Sequence, residues 1–227
     1  MADGNHYFEA NRAVMARFLP PRYTNVLEVG CASGGFAKHL PLAKNLWGIE
    51  PDSAAAERAK THYPNLLCGL YGNVASGLPE GYFDLVICND VIEHMPDHEA
   101  FFAALRCKLK PGAFMVGSLP NVRHITALAK LLLMRDWPYS DSGILDRTHL
   151  RFFTEKSIKR FFAEQSVELE AFEGIGSVIS HGLVRPANPL SPMKSFLFRA
   201  GAASVVVGTL GFYADTQYPQ FGFRIRF

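Results

Sequence analysis

The sequence predicts an α/β protein built on a doubly wound, mostly parallel β-sheet. Short apolar segments alternate with helix-like segments between residues 25 and 120. These apolar segments are hydrophobic on both faces, as strands are when helices cover both sides of a parallel sheet. The chain has 227 residues, of which 48% are hydrophobic. That is enough to build the large core of one such domain.

Five strands are predicted in this region, with helices between them. The strands cover residues 25–30, 46–49, 66–68, 83–88 and 113–117. The helices cover residues 34–40, 53–62 and 97–110. Ser53 and Asp97 have side chains that cap helix N-termini, and they are predicted to begin the second and third helices. Residues 25–120 are therefore interpreted as a cofactor-binding core.

The pattern changes after Pro120. Residues 121–153 are interpreted as a helical insertion on the substrate side, lying over the active site. Residues 154–227 follow as C-terminal helices and strands, with a sixth strand at residues 167–172. Polar and apolar residues alternate in residues 221–227, which predicts a seventh strand that is antiparallel and lies at or near a sheet edge.

Both ends of the chain carry a segment outside this core. Residues 1–24 are predicted to be a helical cover that ends at Pro20 and Pro21. Residues 200–214 are apolar or small and uncharged, but they are fewer than the roughly 20 residues that a membrane-spanning helix needs. A helix packed on the sheet is the favoured interpretation of this stretch. Attachment to a membrane surface, through a lipid-linked acceptor for example, is the alternative.

Composition excludes some classes of protein and favours others. The net charge is +2, without a basic run or a basic-aromatic stripe, which argues against a nucleic-acid partner. The four cysteines are scattered without a CxxC pair, which favours reduced thiols. The N-terminus lacks the pattern of a signal peptide. A cytoplasmic location is therefore expected. The sequence does not indicate an oligomeric state.

The turn after the first strand has the residues of a nucleotide-binding loop. Gly30, Ala32 and Gly35 let the backbone turn tightly and approach a ligand closely. In open parallel sheets, ligands bind at the carboxyl ends of the strands where the strand order reverses. On its own, the spacing also fits the loose dinucleotide pattern of nicotinamide-dependent enzymes.

Two carboxylates favour a different cofactor. Glu28 precedes the first glycine, where negative charge gains nothing against a pyrophosphate but is compatible with a ligand that carries an ammonium group. Glu50 lies at the end of the second strand, where it can accept hydrogen bonds from a ribose diol. Pro51 and Asp52 would then border the adenine. The alternative for Glu50 is that it only caps the next helix.

Taken together, these motifs resemble the class I S-adenosylmethionine-dependent methyltransferases. The matching segments are Glu28-Val29-Gly30-Cys31-Ala32-Ser33-Gly34, Glu50-Pro51-Asp52, residues 83–94, and Leu109-Lys110-Pro111-Gly112-Ala113. The resemblance implies their Rossmann-like fold and the cofactor S-adenosylmethionine, with S-adenosylhomocysteine as the product. The sequence departs from the family at Ala32, where glycine is usual. The acid near the adenine is also missing after the third strand, where Asn73 is the nearest candidate.

By position, the resemblance also implies roles for individual residues. The methionine part of the cofactor would lie against Gly30, Cys31, Ala32 and Gly34. Glu50 would hold the ribose. Asn89 and Asp90 would line the floor beneath the sulfonium, and His94 would either act in catalysis or order the turn after the fourth strand.

Residues 143–154 are similar to a segment of a methyltransferase subgroup that often modifies sugars, polysaccharides or other small metabolites. Asp146 and His149 would enter the mouth of the site from above. A carboxylate that holds an imidazole is a suitable general base for a hydroxyl acceptor, although a polar lock on the loop is an equal alternative. No metal site is expected, because no set of His, Cys and carboxylate residues occurs at ligand spacing.

The function predicted from these observations is transfer of a methyl group to a small-molecule or glycan acceptor, with oxygen as the favoured acceptor atom, by in-line displacement. Two alternatives remain at this point. One is an NAD(P)-dependent oxidoreductase, and the other is a non-catalytic protein that binds the cofactor as a sensor or scaffold. The sequence does not identify the acceptor.

Overall fold

A computed structural model describes residues 13–177, 203–204, 211 and 213–227. Residues 1–12 of the predicted N-terminal helix lie outside these residues, and residues 13–15, which are described, are helical. Nearly all of the apolar stretch at 200–214 also lies outside the described residues. In the described part of the N-terminal segment, a short 3-10 turn at Ala16–Phe18 precedes the first strand, and Phe18 is buried.

The sheet has seven strands, in agreement with the sequence. They are β1 (Asn25–Val29), β2 (Asn45–Glu50), β3 (Asn65–Cys68), β4 (Phe83–Asn89), β5 (Leu109–Pro120), β6 (Glu168–Ile175) and β7 (Gln220–Arg226). Their order across the sheet is β3-β2-β1-β4-β5-β7-β6. Strands β1 to β5 pair in parallel, and β7 is antiparallel to both β5 and β6. The antiparallel last strand is confirmed, and it lies beside the edge strand β6.

Five α-helices lie among the described residues. They are α1 (Ser53–Ala59), α2 (Tyr71–Val74), α3 (His98–Arg106), α4 (Ile125–Leu133) and α5 (Glu155–Glu164). Asp97 caps α3 as predicted, accepting a hydrogen bond from the Ala100 amide. Thr154 and Ser157 form a reciprocal capping box at the start of α5. None of the helices described here is long and apolar enough to cross a membrane.

Three predicted helices differ from the structure, each for a local reason. Residues 34–40 form only a 3-10 turn at Ala37–His39, because Pro41 keeps the residue before it out of the helical region. Helix α1 is capped by Asp52 rather than Ser53, since the Asp52 side chain accepts from the Ala55 amide. Helix α3 ends before Leu109 because that residue already pairs with Phe83 in the sheet.

Two apolar layers cover the faces of the sheet. On one face, α3 and α5 pack against β1, β4, β5 and β7 through a group of aromatic side chains that includes Phe102, Phe162 and Phe223. On the other face, Phe18 and Phe36 pack against Val26 and Leu85. Because β1 has β2 on one side and β4 on the other, the strand order reverses there. The carboxyl ends of β1, β2 and β4 therefore border the ligand crevice.

Candidate active site

The loop after β1 has left-handed backbone at alternate residues. The φ angles are +73° at Gly30, +48° at Ala32 and +88° at Gly34. The amides of Gly30 and Cys31 both donate to the Ile49 carbonyl, at 2.8 and 3.1 Å, which ties the loop to β2. A Cβ atom on Gly30 would lie 2.7 Å from Val91 Cγ2. Gly30 therefore lets this loop lie directly against the turn that follows β4.

Glu50 connects this loop to the start of α1. Its Oε2 accepts from the Ala32 amide at 2.7 Å, and its Oε1 accepts from the Asp52 amide at 2.9 Å. The side chain is only 7% exposed. Both hydrogen bonds are to an ionised acceptor and belong to the stronger kind in proteins. The alternative that Glu50 only caps the next helix is therefore incomplete, because Asp52 caps α1 and Glu50 also fixes the tip of the loop.

Three other residues predicted on the cofactor side lie against other parts of the protein. Glu28 is buried and accepts a hydrogen bond from the Tyr63 hydroxyl. Cys31 packs in a small core with Ala59 and Tyr63. A Cβ atom on Gly34 would meet His62 at 2.7 Å. For Cys31 and Gly34, contact with a cofactor would therefore involve the backbone, and all three roles stay predictions.

The predicted adenine side is open to solvent. Pro51, Asp52 and Asn73 are all exposed. Asp52 is engaged as the cap of α1, and Asn73 lies on α2, directly after β3. Because β3 pairs with β2 in parallel, α2 follows β3 on the side of the sheet where Glu50 ends β2. The structure thus places these residues near the same end of the sheet without assigning them a ligand.

Asn89 and Asp90 end β4 and have contrasting surroundings. Both polar atoms of the Asn89 side chain are buried and have no hydrogen-bond partner among the described residues. Asp90 has a left-handed φ of +55°. Its carboxylate accepts from the Ser118 hydroxyl at 3.0 Å and from the Gln220 amide group. A buried amide without a partner costs free energy. Asn89 is therefore suited to a polar ligand that enters the crevice.

A further buried acid follows in the same turn. Glu93 lies in the 3-10 turn Ile92–His94 and is fully buried. Neither of its carboxylate oxygens bonds another described residue. Burial raises the pKa of Glu93 well above the ordinary value, and the nearby charges of Asp90 and Asp146 add to the increase. The backbone carbonyl of Glu93 accepts from the amides of Leu150 and Arg151, which brings the end of the insertion onto this turn.

His94 and His149 meet directly above Glu93. Their ring centroids are 4.8 Å apart in an edge-to-face arrangement. His94 Nδ1 lies 3.1 Å from the Thr148 carbonyl, and His149 Nδ1 lies 3.1 Å from the Ile144 carbonyl. Since a carbonyl can only accept, each Nδ1 is the ring nitrogen that donates to it, and each Nε2 is left outside that contact. The structure thus brings together two candidate residues that the sequence analysis treated separately, and their roles stay predictions.

The predicted pairing of Asp146 with His149 is not what the structure contains. The Asp146 carboxylate accepts from the amide and the hydroxyl of Thr148, at 2.8 and 2.7 Å, and forms a local turn. Burial alone would raise the pKa of Asp146, but these two hydrogen bonds and the nearby imidazoles lower it overall. The residue that Asp146 holds is thus Thr148, which in turn contacts His94. In short, Asp146 acts as part of the polar lock.

Aromatic side chains border the histidine pair. Trp137 packs edge-on against Phe152 with centroids 5.2 Å apart, and Phe152 also contacts the His149 ring. Trp137 belongs to the insertion, residues 121–153. Its contact with Phe152 places an aromatic surface beside the imidazoles, which suits a flat or apolar acceptor.

Similarity to known proteins agrees with this geometry. A family model described as a methyltransferase domain matches residues 4–170, well over half of the chain. The chain belongs to the class I S-adenosylmethionine-dependent methyltransferases. The cofactor of this family is S-adenosylmethionine, as the sequence predicted. In an open sheet of this order, the carboxyl ends of β1, β2 and β4 border the crevice in which a cofactor is expected.

Individual relatives support the same family. A protein from Mycolicibacterium smegmatis, named a probable S-adenosylmethionine-dependent methyltransferase, is 31% identical over 125 residues, 53% of this chain and 48% of the relative. A ubiquinone biosynthesis O-methyltransferase from Chromobacterium violaceum is 28% identical over 160 residues, 66% of this chain and 67% of the relative. The aligned region thus spans about half to two thirds of these relatives.

Among solved structures, a SAM-dependent methyltransferase from Archaeoglobus fulgidus aligns with a TM-score of 0.62 at 15% identity, covering 98% of this chain and 94% of that protein. At this identity the match shows the fold alone. It confirms the seven-stranded, Rossmann-like methyltransferase architecture.

The residues present fit the family's cofactor at two points that do not depend on the resemblance. Gly30 has no room for a side chain beside Val91, so the loop presents only its backbone at this point. Asn89, the last residue of β4, has a buried amide without a partner among the described residues. The sequence analysis missed Glu93 as a separate feature, although it lies within the segment that carried the resemblance. In the sequence it stands between Ile92 and His94, and nothing there indicates that its carboxylate is buried.

Proposed function

We propose that this chain transfers a methyl group from S-adenosylmethionine to an oxygen atom of a small-molecule acceptor. The observation that carries this proposal is the juxtaposition of the cofactor crevice with a polar cluster, Glu93, His94 and His149. Glu93 and His94 lie in the turn after β4, and Val91 in the same turn touches the position of Gly30. An acceptor held at this cluster would lie beside the glycine loop.

Different residues of the chain would bind the cofactor and the acceptor. Glu50 and the glycine loop would hold the ribose and the methionine part of the cofactor, and Asn89 would offer its unpartnered amide to the same ligand. When bound, S-adenosylmethionine supplies a methyl group that is already activated by the sulfonium. The protein then has to align the acceptor with that methyl and exclude water.

Oxygen is the proposed acceptor atom because the cluster is suited to weakening an O–H bond. Each imidazole keeps its Nε2 clear of the carbonyl that its Nδ1 contacts, and the acidic side chain of Glu93 lies close to both rings. A neutral amine would need no such group. The O-methyltransferase from Chromobacterium violaceum is named for ubiquinone biosynthesis, and a hydroxylated aromatic ring would also suit the surface of Trp137 and Phe152. A glycan hydroxyl, which the insertion's resemblance implies, is the second candidate.

Two measurements test this proposal. Calorimetric titration should give binding of S-adenosylhomocysteine and none of NADH, because the alternative oxidoreductase function predicts the reverse. Purified protein is then incubated with S-adenosylmethionine and a panel of catechols, hydroxylated quinone precursors and sugars, and release of S-adenosylhomocysteine is followed. Turnover with a hydroxylated acceptor is expected. If the cofactor product binds but every acceptor is inert, the chain is the non-catalytic binding protein instead.

A further inference from the structure

We propose that Glu93, His94 and His149 form a binding site for a divalent first-row transition metal. One carboxylate oxygen of Glu93 and one ring nitrogen from each histidine all lie within 4.8 Å of one another. Two atoms bonded to the same ion at about 2.1 Å each lie about 3.0–4.2 Å apart. A side-chain adjustment of about 1 Å would therefore bring the three groups onto one ion.

The carboxylate gives the independent reason to expect a ligand here. Glu93 is fully buried, yet neither oxygen bonds another residue in the part of the chain that the structure describes. A buried carboxylate is normally paired with a cation or with several hydrogen-bond donors. The nearest groups include Asp90 and Asp146, which carry the same sign of charge. A cation bound between Glu93 and the two imidazoles supplies the missing partner.

The surroundings of the histidines are those of metal ligands. Each Nδ1 is fixed on a backbone carbonyl of the insertion, Thr148 for His94 and Ile144 for His149. Such contacts set the tautomer and orient the ring, so that Nε2 remains for the ion. Thr148 is held in turn by Asp146. The polar lock around Asp146 therefore has a purpose in this site, since it positions His94 through Thr148.

Two imidazoles and one carboxylate favour a transition metal over Mg²⁺ or Ca²⁺, which prefer oxygen ligands. The expectation that no metal is needed depended on the lack of ligand residues at close spacing in the sequence. In the folded chain the ligand residues are close after all, because His149 of the insertion meets Glu93 and His94 of the turn after β4. Three protein ligands also leave coordination positions open for a substrate oxygen.

The role of the metal rests on the proposed function, and it makes that function more specific. The acceptor hydroxyl would coordinate the ion, which lowers the pKa of the hydroxyl, and the proton would leave to water. An oxygen lone pair then forms the new O–C bond with the methyl group. The S–C bond breaks, its electron pair stays on sulfur, and S-adenosylhomocysteine leaves. Acceptors with two adjacent hydroxyls, which can chelate the ion, would be preferred over single hydroxyls.

The test measures metal binding directly and needs no acceptor. Full-length protein stripped with EDTA is titrated with Co²⁺ and Mn²⁺ by calorimetry, and Co²⁺ binding is also followed by its visible absorption. One ion per chain is expected, together with a rise in melting temperature. Glu93→Gln and His149→Gln should weaken binding by at least about 100-fold, since loss of even an outer contact to a ligand costs 10- to 100-fold. Glu99→Gln makes the same change at an exposed position on α3 and should bind as the wild type does.

Two outcomes would overturn the site. One is that the wild type binds no stoichiometric amount of metal. The other is that Glu93→Gln binds metal as tightly as the wild type does, while circular dichroism and S-adenosylhomocysteine affinity show that this variant is folded. Failure of the proposed function looks different, because metal then binds without methyl transfer to any acceptor. If methyl transfer persists in EDTA with no metal bound, the proposed role of the metal is refuted, while the methyltransferase activity is retained.

Discussion

At the tip of β2, both oxygens of Glu50 are hydrogen-bonded to backbone amides. At the tip of β4, the buried side chains of Asn89 and Glu93 have no such bonds to other described residues. The two sides of one crevice therefore differ in how their polar groups are satisfied. The side around Glu50, which we propose holds the cofactor, is already closed by the protein's own contacts, whereas Asn89 and Glu93 are left for ligands to complete.

This difference has consequences for how each side responds to mutation. A group that is satisfied within the protein contributes to folding, so its removal lowers stability as well as binding. A buried group without a partner weakens the empty protein, so its removal is neutral or stabilising while binding is lost. Stability and ligand affinity should thus change together on the cofactor side and in opposite directions at the tip of β4.

The largest effect is expected for Glu50→Ala. The substitution removes two charge-assisted hydrogen bonds and leaves the Ala32 amide without its partner, which should lower the free energy of unfolding by about 3 kcal/mol. The affinity for S-adenosylhomocysteine should fall by about 100-fold, because the ribose loses its acceptor and the loop loses its anchor. Urea denaturation and calorimetric titration measure the two quantities.

Glu50→Gln is the matched control for that substitution. It retains one strong acceptor oxygen for the two amides and should give intermediate values for stability and affinity. Binding by Glu50→Ala at wild-type strength would show that Glu50 serves only the fold.

Sequence reasoning succeeded where the deciding interactions are local. Glu50 could be placed because an apolar strand ends there and a capped helix follows, and the strands could be found from their apolar runs. The metal cluster could not be found in this way, since Glu93 and His149 are brought together by contacts between the insertion and the β4 turn. Asp146 was paired with His149 because the two are near in sequence, but Thr148 lies closer and offers two donors.

Lowering the pH should reduce the free energy of unfolding through His124, a buried group at the start of the insertion. His124 precedes α4 and is 5% exposed, with Nε2 lacking a partner among the described residues. Burial lowers the pKa of His124 to about 4, against about 6.5 in the unfolded chain. The unfolded state therefore takes up a proton first, and stability falls as the pH drops from 6.5 towards 4. The slope from this group is at most about 1.4 kcal/mol per pH unit, roughly 3 kcal/mol in total.

Urea denaturation at pH 7, 6 and 5 measures this effect when the wild type is compared with His124→Asn. Asparagine has no proton to gain in this range and is a good residue before a helix. The variant should therefore show the shallower dependence on pH. Equal slopes for the two proteins would mean that His124 is protonated in the folded state as easily as in the unfolded one.

Asn89→Leu tests whether stability and ligand affinity change in opposite directions at the tip of β4. Replacing an unpartnered buried amide by an apolar side chain of similar size should leave the unfolding free energy unchanged or raise it by about 1 kcal/mol. The affinity for S-adenosylhomocysteine should fall by about tenfold, the worth of one hydrogen bond. Thermal unfolding of the free protein and calorimetry with the ligand give both numbers.

Asn121 supplies the contrasting control in the same half of the molecule. It is fully buried, donates to the carbonyls of Asp215 and Tyr218 and accepts from the Arg123 amide. Asn121→Leu should therefore lower stability by about 3 kcal/mol. A comparable loss for Asn89→Leu would contradict the claim that Asn89 is kept for a ligand.

The smallest effect is expected within the closed cofactor side itself. Ala32 has a φ of +48° where the family usually has glycine, and an L-residue in this region costs roughly 1 kcal/mol. Ala32→Gly should relieve that strain and raise the melting temperature by about 2 °C. Its amide still donates to Glu50, so cofactor affinity should change by less than about twofold. Ala55→Gly, inside α1, should instead lower stability by about 1 kcal/mol. If Ala32→Gly lowers it too, the alanine methyl makes a contact that outweighs the backbone strain, and the loop is held by packing as well as by Glu50.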